Sequence, residues 1–445
     1  MALSGLDIYK LLAKTNCKKC GFQTCLAFAM QLAKKAVSLE KCPFVTPDVR
    51  AVLEEAAQPA IRLVEIGLAD NKVCVGHETV LFRHEEKFYH PTAIGLLVEG
   101  DTDEAGLKKI LEEINSLSFE RVGQVLNVNL IALREKSGKA EQFIKCLDQL
   151  TKNSSLGLVL MCANATTLKR ALQACAQNKP LVYCAVSEQI LEFAAACKEY
   201  RLPLAIRGHG TDDFSRCSKQ IVGAGVPDIV LDIGAAGATE CVWQLTQIRR
   251  LAIKKAERSL GYPTMVVIQE ADQAKMVVQA ALCLAKYASI ILLKSRRPEQ
   301  ILPLLTLRQN IFTDPQKPLQ VEPNIYPIGA VQEDSPVLVT TNFSLTYYTV
   351  LGEIESSRVP SYLLVVDTEG MSVLTAWAAE KFTPEKITDT LAKFKLSELV
   401  RHKNLVIPGY VSVMSGELEE KSGWKIHVGP REAASIPSFL KNLSS

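Results

Sequence analysis

The sequence lacks any long, uncharged apolar run. No segment approaches the roughly 18 residues that a membrane-spanning helix needs, and the first residues lack the basic start and apolar core of a secretory signal. An excess of one charge is also missing, since 51 basic and 48 acidic side chains leave a net charge of +3. Such a balance gives no general electrostatic case for binding nucleic acid or an anionic membrane. We therefore expect a cytoplasmic protein that binds neither.

Two further absences narrow the class of protein. No G-x-G-x-x-G follows an apolar strand candidate, which disfavours a nicotinamide or flavin dinucleotide. Low-complexity tracts are also missing, and 48% of the 445 residues are hydrophobic. The composition is that of a folded globular protein, and the length predicts two or three domains.

Cysteine is abundant, and its distribution is uneven. Four of the 13 cysteines follow the pattern C-x2-C-x4-C-x16-C-P near the start: Cys17, Cys20, Cys25 and Cys42. Three close thiols with a distant fourth are typical of a [4Fe–4S] cluster, whereas a structural zinc site usually has two close pairs. Zinc and unligated core thiols are the alternatives, and Lys18, Lys19 and Lys41 would offset the charge of a thiolate-bound cluster. The other nine cysteines lie singly and are interpreted as small buried hydrophobic residues.

Residues 1–57 are predicted to form a small helical domain around these thiols. Gly21 permits a tight turn between the second and third cysteines, and Thr24 can cap a second helix, Cys25–Val37. So short a unit buries little apolar surface. It therefore needs an additional source of stability, such as a bound metal centre.

Residues 58–92 are predicted to be a linker that contains a hairpin. The two strand candidates are Lys72–Val75 and Thr79–Phe82, on either side of Gly76. The polar stretch His84–His90 follows, and its side chains do not share a helical face. We interpret it as a solvated connection rather than a metal site.

From residue 93 to 312, apolar strand candidates alternate regularly with helical stretches. Eight β–α units over about 220 residues are the count and length of a (β/α)8, or TIM, barrel. Strands that are apolar on both faces suit a parallel sheet covered by helices. The predicted strands are Ile94–Val98, Val125–Leu133, Gly157–Met161, Leu181–Ala185, Leu204–Ile206, Ile229–Asp232, Thr264–Ile268 and Ile290–Leu293.

Chemistry in such a barrel sits in the loops that follow the strands. His209 lies between two glycines in the loop Arg207–Asp213, with two aspartates close by, and this set could perform acid–base chemistry. The alternative is that the glycines form a turn and the aspartates cap the next helix, which is the interpretation we favour. Asn164, Asp232 and Glu270 occupy the corresponding loops of other units.

The C-terminal part begins with a proline-rich segment, residues 313–330, which indicates an extended linker. Residues 331–445 then predict a small open sheet of four parallel strands: Val337–Thr341, Tyr362–Asp367, Asn404–Ile407 and Trp424–Val428. The segments after these strands are rich in Gly, Ser and Thr, with apolar residues between them. This composition suits a large, flat ligand decorated with amides, although ordinary turns and caps share it.

The cysteine motif, the barrel and the segments Val339–Tyr347 and Thr368–Trp377 together resemble the large (gamma) subunits of corrinoid iron–sulfur proteins. This family serves the reductive acetyl-CoA (Wood–Ljungdahl) pathway and the acetyl-CoA decarbonylase/synthase complex. The resemblance implies a [4Fe–4S] cluster on the four cysteines and a cobalt corrinoid on a Rossmann-like open α/β domain. The implied corrinoid contacts are Thr340, Thr341, Asn342, Thr346, Gly370, Met371, Ser372, Val373, Leu374, Thr375, Gly409, Gly429, Arg431 and Ala433.

The function that the resemblance implies is that of a methyl carrier, a component of an anaerobic, corrinoid-dependent methyltransferase system. Cobalt(I) would accept the methyl group of methyltetrahydrofolate from a separate methyltransferase and pass it to the nickel–iron–sulfur cluster of acetyl-CoA synthase/CO dehydrogenase. The [4Fe–4S] cluster would reactivate cobalt(II) with an electron from a low-potential donor such as ferredoxin. The barrel would dock the small subunit in a heterodimer, and residues 313–330 would be a hinge.

One missing motif bears on the corrinoid. Many corrinoid methyltransferases ligate cobalt through D-x-H-x-x-G, and neither His402 nor His427 lies in that pattern. We therefore expect a base-off corrinoid without a protein nitrogen ligand, with Thr375 below the ring. Two alternatives remain: a folate-dependent barrel methyltransferase with a structural cluster, and an electron-transfer module that does not need residues 331–445.

Overall fold

The computed structural model describes residues 5–33, 36–50, 53, 58–121, 123–136, 139–234, 237–314 and 318–443. Its contacts divide the chain into two compact units. The first contains the residues up to Phe119 together with Leu126–Phe312, and the second contains Glu120–Val125 together with the residues from Thr313 onward. No helix in the described ranges is long and apolar enough to cross a membrane.

Two short helices flank the cysteine loop. Helix Gly5–Leu11 precedes the loop, and helix Cys25–Ala33 begins on the third cysteine. Gly21 has φ +87° and donates its N–H to the carbonyl three residues earlier at 3.0 Å, which confirms the predicted turn. Thr24 Oγ1 accepts a first-turn N–H at 3.1 Å, which confirms the predicted cap. The second helix ends earlier than predicted, and residues 34 and 35 lie outside the described residues.

Residues 58–92 form a hairpin, but with different strands from those predicted. Strand β1, Val64–Ile66, pairs antiparallel with β2, Val73–Val75. The predicted strand Thr79–Phe82 is wrong, because its apolar character reflects Leu81, which is buried as part of a loop. The hairpin packs against the side chains that fill the interior of the central barrel, so this segment is part of the first unit.

The centre of the first unit is a closed barrel of eight parallel strands, which confirms the predicted architecture. Alternate side chains such as Val159 and Met161 fill its interior, while Leu158 and Leu160 face the surrounding helices. In chain order, the strands after the hairpin are β3 Ala93–Glu99, the separate pair β4 Ser118–Arg121 and β5 Gln124–Asn127, β6 Leu130–Arg134, β7 Gly157–Met161, β8 Leu181–Cys184, β9 Leu204–Arg207, β10 Ile229–Asp232, β11 Thr264–Val267 and β12 Ile290–Leu293. The helices between and after the barrel strands are Glu104–Asn115, Ala140–Asn153, Ala165–Cys175, Ile190–Tyr200, Thr211–Gly223, Ala238–Lys254, Gln273–Ala285 and Pro298–Phe312.

One predicted barrel strand, Val125–Leu133, is wrong. The run contains two elements, β5 outside the barrel and β6 within it. Asn129 separates them, since its side-chain oxygen accepts the N–H of Ile94 at 3.2 Å in place of a regular ladder bond. The other predicted barrel strands agree with the observed strands to within about one residue at each end.

A buried ion pair ties residues 58–92 to the barrel. Arg249 Nη2 lies 2.9 Å from Glu78 Oε2, and their side chains are 4% and 8% exposed. The guanidinium also lies over the rings of Phe88 and Tyr287, 4.7 and 4.4 Å from their centroids. Because Arg249→Ala leaves Glu78 buried without its counter-ion, we expect the free energy of unfolding to fall by about 3–5 kcal/mol.

Urea unfolding of Arg249→Ala measures this change. Arg170→Ala is the matched control, since the pair of Arg170 with Glu141 at 2.8 Å lies on barrel helices but is 43% and 75% exposed. We expect the control to lose about 1 kcal/mol or less. A loss of about 1 kcal/mol or less in Arg249→Ala would contradict the prediction.

The second unit is built on an open five-stranded sheet in the order β13–β15–β14–β16–β17. Val337 and Val339 face one core and Leu338 faces another, so helices cover both sides of the sheet. The strands are β13 Ile325–Ile328, β14 Val337–Thr341, β15 Ser361–Val366, β16 Asn404–Ile407 and β17 Lys425–Val428. The helices are Ser344–Ser357, Val373–Ala378, Pro384–Lys393, Ser415–Ser422 and Ile436–Leu443. The last four strands are parallel, as predicted, but the sheet has a fifth, antiparallel strand at its edge.

That fifth strand corrects the predicted linker. Strand β13 pairs with β15, and Pro327 fits there because an edge strand can spare a backbone donor. Upstream, the N–H of Val321 donates to Asn342 O at 2.9 Å, and the N–H of Ser344 donates to Leu319 O at 3.0 Å. The linker prediction is therefore wrong for residues 319–328, which belong to the sheet and its edge.

Candidate cluster loop and cofactor crevice

The four N-terminal cysteines are free thiols, and three of them belong to or contact one small core. Cys25 and Cys42 are buried in it, and Cys20 packs against it. Cys17 lies three residues before Cys20 and is partly exposed. Two of the four thiols are thus buried, and the other two are partly exposed to solvent.

Backbone amides of the loop point at the thiols. Asn16 donates its N–H to Cys25 Sγ at 3.3 Å, and its side-chain Oδ1 accepts the N–H of Cys25 at 2.8 Å. A hydrogen bond from the backbone of Lys19 lowers the pKa of the Cys17 thiol. Asn16 and Lys18 have φ of +47° and +62°, a left-handed geometry that can turn neighbouring amides to one side. Such donors favour the thiolate, which is the form that binds metal.

The structure does not gather the four cysteines into a preformed metal site, so the prediction of a [4Fe–4S] cluster rests on their spacing along the sequence. Within the ranges that the structure describes, no three His, Cys, Asp or Glu side chains are grouped around one ion position. In a [4Fe–4S] cubane each thiolate binds a different iron atom, so the ligands stand farther apart than those of one zinc ion. A loop of four thiols with amide donors and neighbouring lysines fits that larger, negatively charged group.

The strand order of the second unit creates a crevice. Numbered along the chain, the parallel strands lie in the order 2-1-3-4, so the direction of progression reverses between β14 and β16. Ligands of open parallel sheets bind at the carboxyl ends of the strands at such a point. A cavity of about 140 Å³ lies there, lined by both strands and by the loops that follow β16 and β17.

The predicted corrinoid contacts fall into two groups around this crevice. One group lines the cavity: Thr340, Thr346, Val373, Gly429, Arg431 and Ala433. Gly409 lies beside it, and a Cβ there would stand 2.5 Å from Gly429 O, so only glycine permits this approach of the two loops. The second group does not line the cavity: Thr341, Asn342, Gly370, Met371, Ser372, Leu374 and Thr375.

Two buried hydroxyl groups near the crevice have no hydrogen-bond partner among the residues that the structure describes. Thr340 and Thr341 are 1% and 0% exposed, and neither Oγ1 makes a hydrogen bond. A buried polar group without a partner costs about 1–3 kcal/mol. Because Thr340 lines the cavity, an amide-bearing ligand bound there could satisfy its hydroxyl. Thr341 does not line the cavity.

Large apolar side chains stand exposed at the same edge of the sheet. Leu374 and Trp377, on helix Val373–Ala378, are 45% and 41% exposed, and Tyr410 and Val413 on the neighbouring 3-10 helix are 44% and 73% exposed. Thr375 lies among them, and its hydroxyl is 3.0 Å from that of Ser372. An exposed apolar rim around a crevice is typical of a binding surface.

The polar residues of the barrel loops have structural partners. Asn164 Oδ1 accepts a first-turn N–H at 2.9 Å, and Asp213 Oδ2 accepts the N–H of His209 at 3.0 Å. Asp232 is fully buried and accepts a hydrogen bond from Tyr183 at 2.7 Å, and burial raises the pKa of its carboxyl. These contacts support the turn-and-cap interpretation of the barrel loops.

Comparison with known proteins fits this geometry. A family model described as "CO dehydrogenase/acetyl-CoA synthase delta subunit" matches residues 63–440, and one described as "Putative Fe-S cluster" matches residues 12–44. The corrinoid/iron-sulfur protein large subunit of Moorella thermoacetica is 46% identical, and the match covers 100% of both chains. The chain belongs to the family of corrinoid/iron–sulfur protein large subunits. The resemblance inferred from the cysteine motif is therefore confirmed, and the matched residues 12–44 include all four cysteines.

Archaeal members of the corrinoid/iron–sulfur family are similar over their whole length. The acetyl-CoA decarbonylase/synthase complex subunit gamma of Methanothermobacter thermautotrophicus is 36% identical, with 100% of both chains covered. That of Methanocaldococcus jannaschii is 31% identical over 99% of this chain and 96% of its own. Among solved structures, dihydropteroate synthase of Thermus thermophilus covers 56% of this chain and 99% of its own at 11% identity, with a TM-score of 0.39. Because this TM-score is low, we base the barrel assignment only on the strand pairing within this chain.

Proposed function

We propose that the chain is a cytoplasmic methyl carrier that holds a base-off cobalt corrinoid in its C-terminal unit and a [4Fe–4S] cluster on its cysteine loop. The observation that carries the proposal is the crevice between β14 and β16. It lies at the carboxyl edge of the sheet, has an apolar rim and contains the unpartnered hydroxyl of Thr340. Family membership supports the same function.

The residues that would hold the corrinoid are those of the cavity and its rim. Thr340 would form a hydrogen bond with an amide of the ligand, and Gly409 and Gly429 keep the walls of the crevice together. When bound, the corrinoid would supply a cobalt centre able to accept the methyl group of methyltetrahydrofolate and donate it to acetyl-CoA synthase.

The two histidines of the C-terminal unit support the base-off form. His402 Nε2 is 3.0 Å from Ser335 O, and His427 Nε2 is 3.3 Å from Asn404 Oδ1. The ring of His402 is thus held in the loops before the strands, and the ring of His427 is held by the first residue of β16. Neither is offered to a ligand at the carboxyl edge.

Cys17, Cys20, Cys25 and Cys42 would hold the cluster, which would supply the electron that returns cobalt(II) to cobalt(I). The N–H of Asn16 would remain a hydrogen-bond donor to Cys25 Sγ, to which it already donates at 3.3 Å. Relatives are named as a large subunit and as complex subunits, which supports a heterodimer with a small subunit. The further partners we propose are the methyltetrahydrofolate methyltransferase, acetyl-CoA synthase/CO dehydrogenase and a ferredoxin-like donor.

Replacing Thr340 with Val tests the crevice as the corrinoid site. Because valine has nearly the same shape without the unpartnered hydroxyl, the corrinoid-free protein should be as stable as wild type or more stable. Corrinoid affinity should fall about tenfold, since one hydrogen bond to the ligand is lost. Thermal unfolding and a visible-absorbance titration of corrinoid-free protein measure the two quantities.

The matched control is Thr341→Val, which removes an equally buried, unpartnered hydroxyl outside the cavity. We expect it to reproduce the effect on stability and leave the affinity unchanged. If Thr340→Val binds corrinoid as tightly as the wild type, the ligand binds elsewhere. If the wild-type protein itself takes up no corrinoid, the proposed function is refuted.

A further inference from the structure

One buried side chain, Asn342, holds the loop that follows β15. Asn342 is 1% exposed. Its Oδ1 accepts the backbone N–H and the hydroxyl of Thr368, both at 2.9 Å, and the N–H of Gly370 at 3.0 Å. Its Nδ2 donates to Asp367 Oδ1 at 3.2 Å and to Gln320 Oε1 at 3.3 Å. This side chain therefore uses its whole hydrogen-bonding capacity within the protein.

The loop needs this support because its backbone is unusual. Glu369 and Gly370 are consecutive residues in the left-handed region, with φ of +56° and +75°. A non-glycine residue in that region costs roughly 1–2 kcal/mol, so the loop alone would favour other conformations. It leads directly into helix Val373–Ala378, which carries Thr375. Asn342 therefore holds the loop that precedes the helix with Thr375.

Gln320 brings a second, more distant segment to the same loop. It lies in the region that the sequence predicted as a linker, between Leu319 and Val321, whose backbones bond to Ser344 and Asn342. A Cβ on Gly370 would stand 2.7 Å from Gln320 Cγ, so the two segments are in closest contact. The segment around Gln320 therefore directly contacts the loop that follows β15 and leads to Thr375.

We propose that Asn342 and Gln320 are positioning residues that fix the loop after β15, and with it Thr375, on the lower side of a bound corrinoid. The inference rests on the proposed function for its ligand, but its structural part concerns the protein alone. Any shift of residues 319–321 would reach Thr375 through Gln320 and the loop. Movement of the entering chain and the surroundings of the cobalt are then mechanically coupled.

The main test is Gln320→Leu, which removes the amide acceptor at an exposed position and leaves the buried core intact. In the corrinoid-free protein, we expect the backbone amides of Thr368 and Gly370 to exchange with deuterium about tenfold faster. In the loaded protein, we expect a changed electron paramagnetic resonance spectrum of cobalt(II) and a shifted cobalt(II)/cobalt(I) midpoint potential. Gln332→Leu, an exposed glutamine of the same unit, is the matched control and should alter none of these.

Asn342→Asp is the second variant. It retains an oxygen that can accept from Thr368 and Gly370 but loses both donors and places a carboxylate beside Asp367. We expect faster exchange of the same amides and a changed cobalt(II) spectrum, as for Gln320→Leu. Unchanged amide exchange together with wild-type spectra and potential in Gln320→Leu would overturn the inference, even if Asn342→Asp did not fold. A wild type without corrinoid would instead refute the proposed function, and the exchange experiment would still decide whether Gln320 positions the loop.

Discussion

Cys20→Ala is expected to abolish the reductive recovery of cobalt(II) while methyl transfer from already methylated protein continues. Without Cys20 one iron atom of the cubane has no thiolate ligand, so the variant should hold clearly less than the wild-type content of about four iron atoms per chain. The crevice lies in the other compact unit, and the substitution leaves its residues unchanged. Iron content, the spectrum of the reduced cluster and separate assays of methyl transfer and cobalt(II) recovery measure the prediction.

The control for this experiment is Cys74→Ala. Cys74 is partly exposed, like Cys20, but lies on β2 of the hairpin. It should keep full iron and full recovery. Loss of every half-reaction in Cys20→Ala would mean that the cluster is structural. About four iron atoms per chain together with a wild-type cluster spectrum would remove Cys20 from the ligand set.

Ala433→Phe is expected to eliminate corrinoid binding while the cluster remains intact. Ala433 lines the crevice at the start of a 3-10 helix, where a phenyl group would occupy much of a cavity of about 140 Å³. We expect the affinity to fall at least about 100-fold, which corresponds to about 2.7 kcal/mol. Cobalt and iron content of the variant, purified anaerobically, test both halves of the statement.

A phenyl group on the exposed surface provides the comparison. Ala392 is exposed on helix Pro384–Lys393, which packs on the other side of the sheet from helix Ser344–Ser357. Ala392→Phe should bind corrinoid as wild type does. Normal cobalt content in Ala433→Phe would show that the crevice does not hold the ligand.

Much of the fold could be predicted because each barrel strand is a short apolar run between helical stretches. Two segments are exceptions. Asn129 interrupts an apolar run that reads as one strand, and its bond to Ile94 joins residues far apart in sequence. Pro327 favours an extended linker when only the sequence is considered. In the structure it lies in an edge strand, where proline is tolerated. In both cases the deciding contact is long-range, so a local pattern cannot show it.

The candidate sites were predictable to different extents. The cysteine spacing identified the four thiols, whereas Asn16 was missed, although asparagine is among the residues that most readily adopt positive φ. The unpartnered hydroxyl of Thr340 and the contact of Gln320 with Gly370 had no signal in the sequence. Both depend on how segments distant in the chain meet at the edge of the sheet.

The most direct test of the whole account is the metal and corrinoid content of the wild-type protein. It should be purified without oxygen and characterised by its visible spectrum, with cobalt and iron measured on the same sample. We expect corrinoid absorption bands, about one cobalt and about four iron atoms per chain. A spectrum without corrinoid bands, with cobalt far below one per chain, would contradict it.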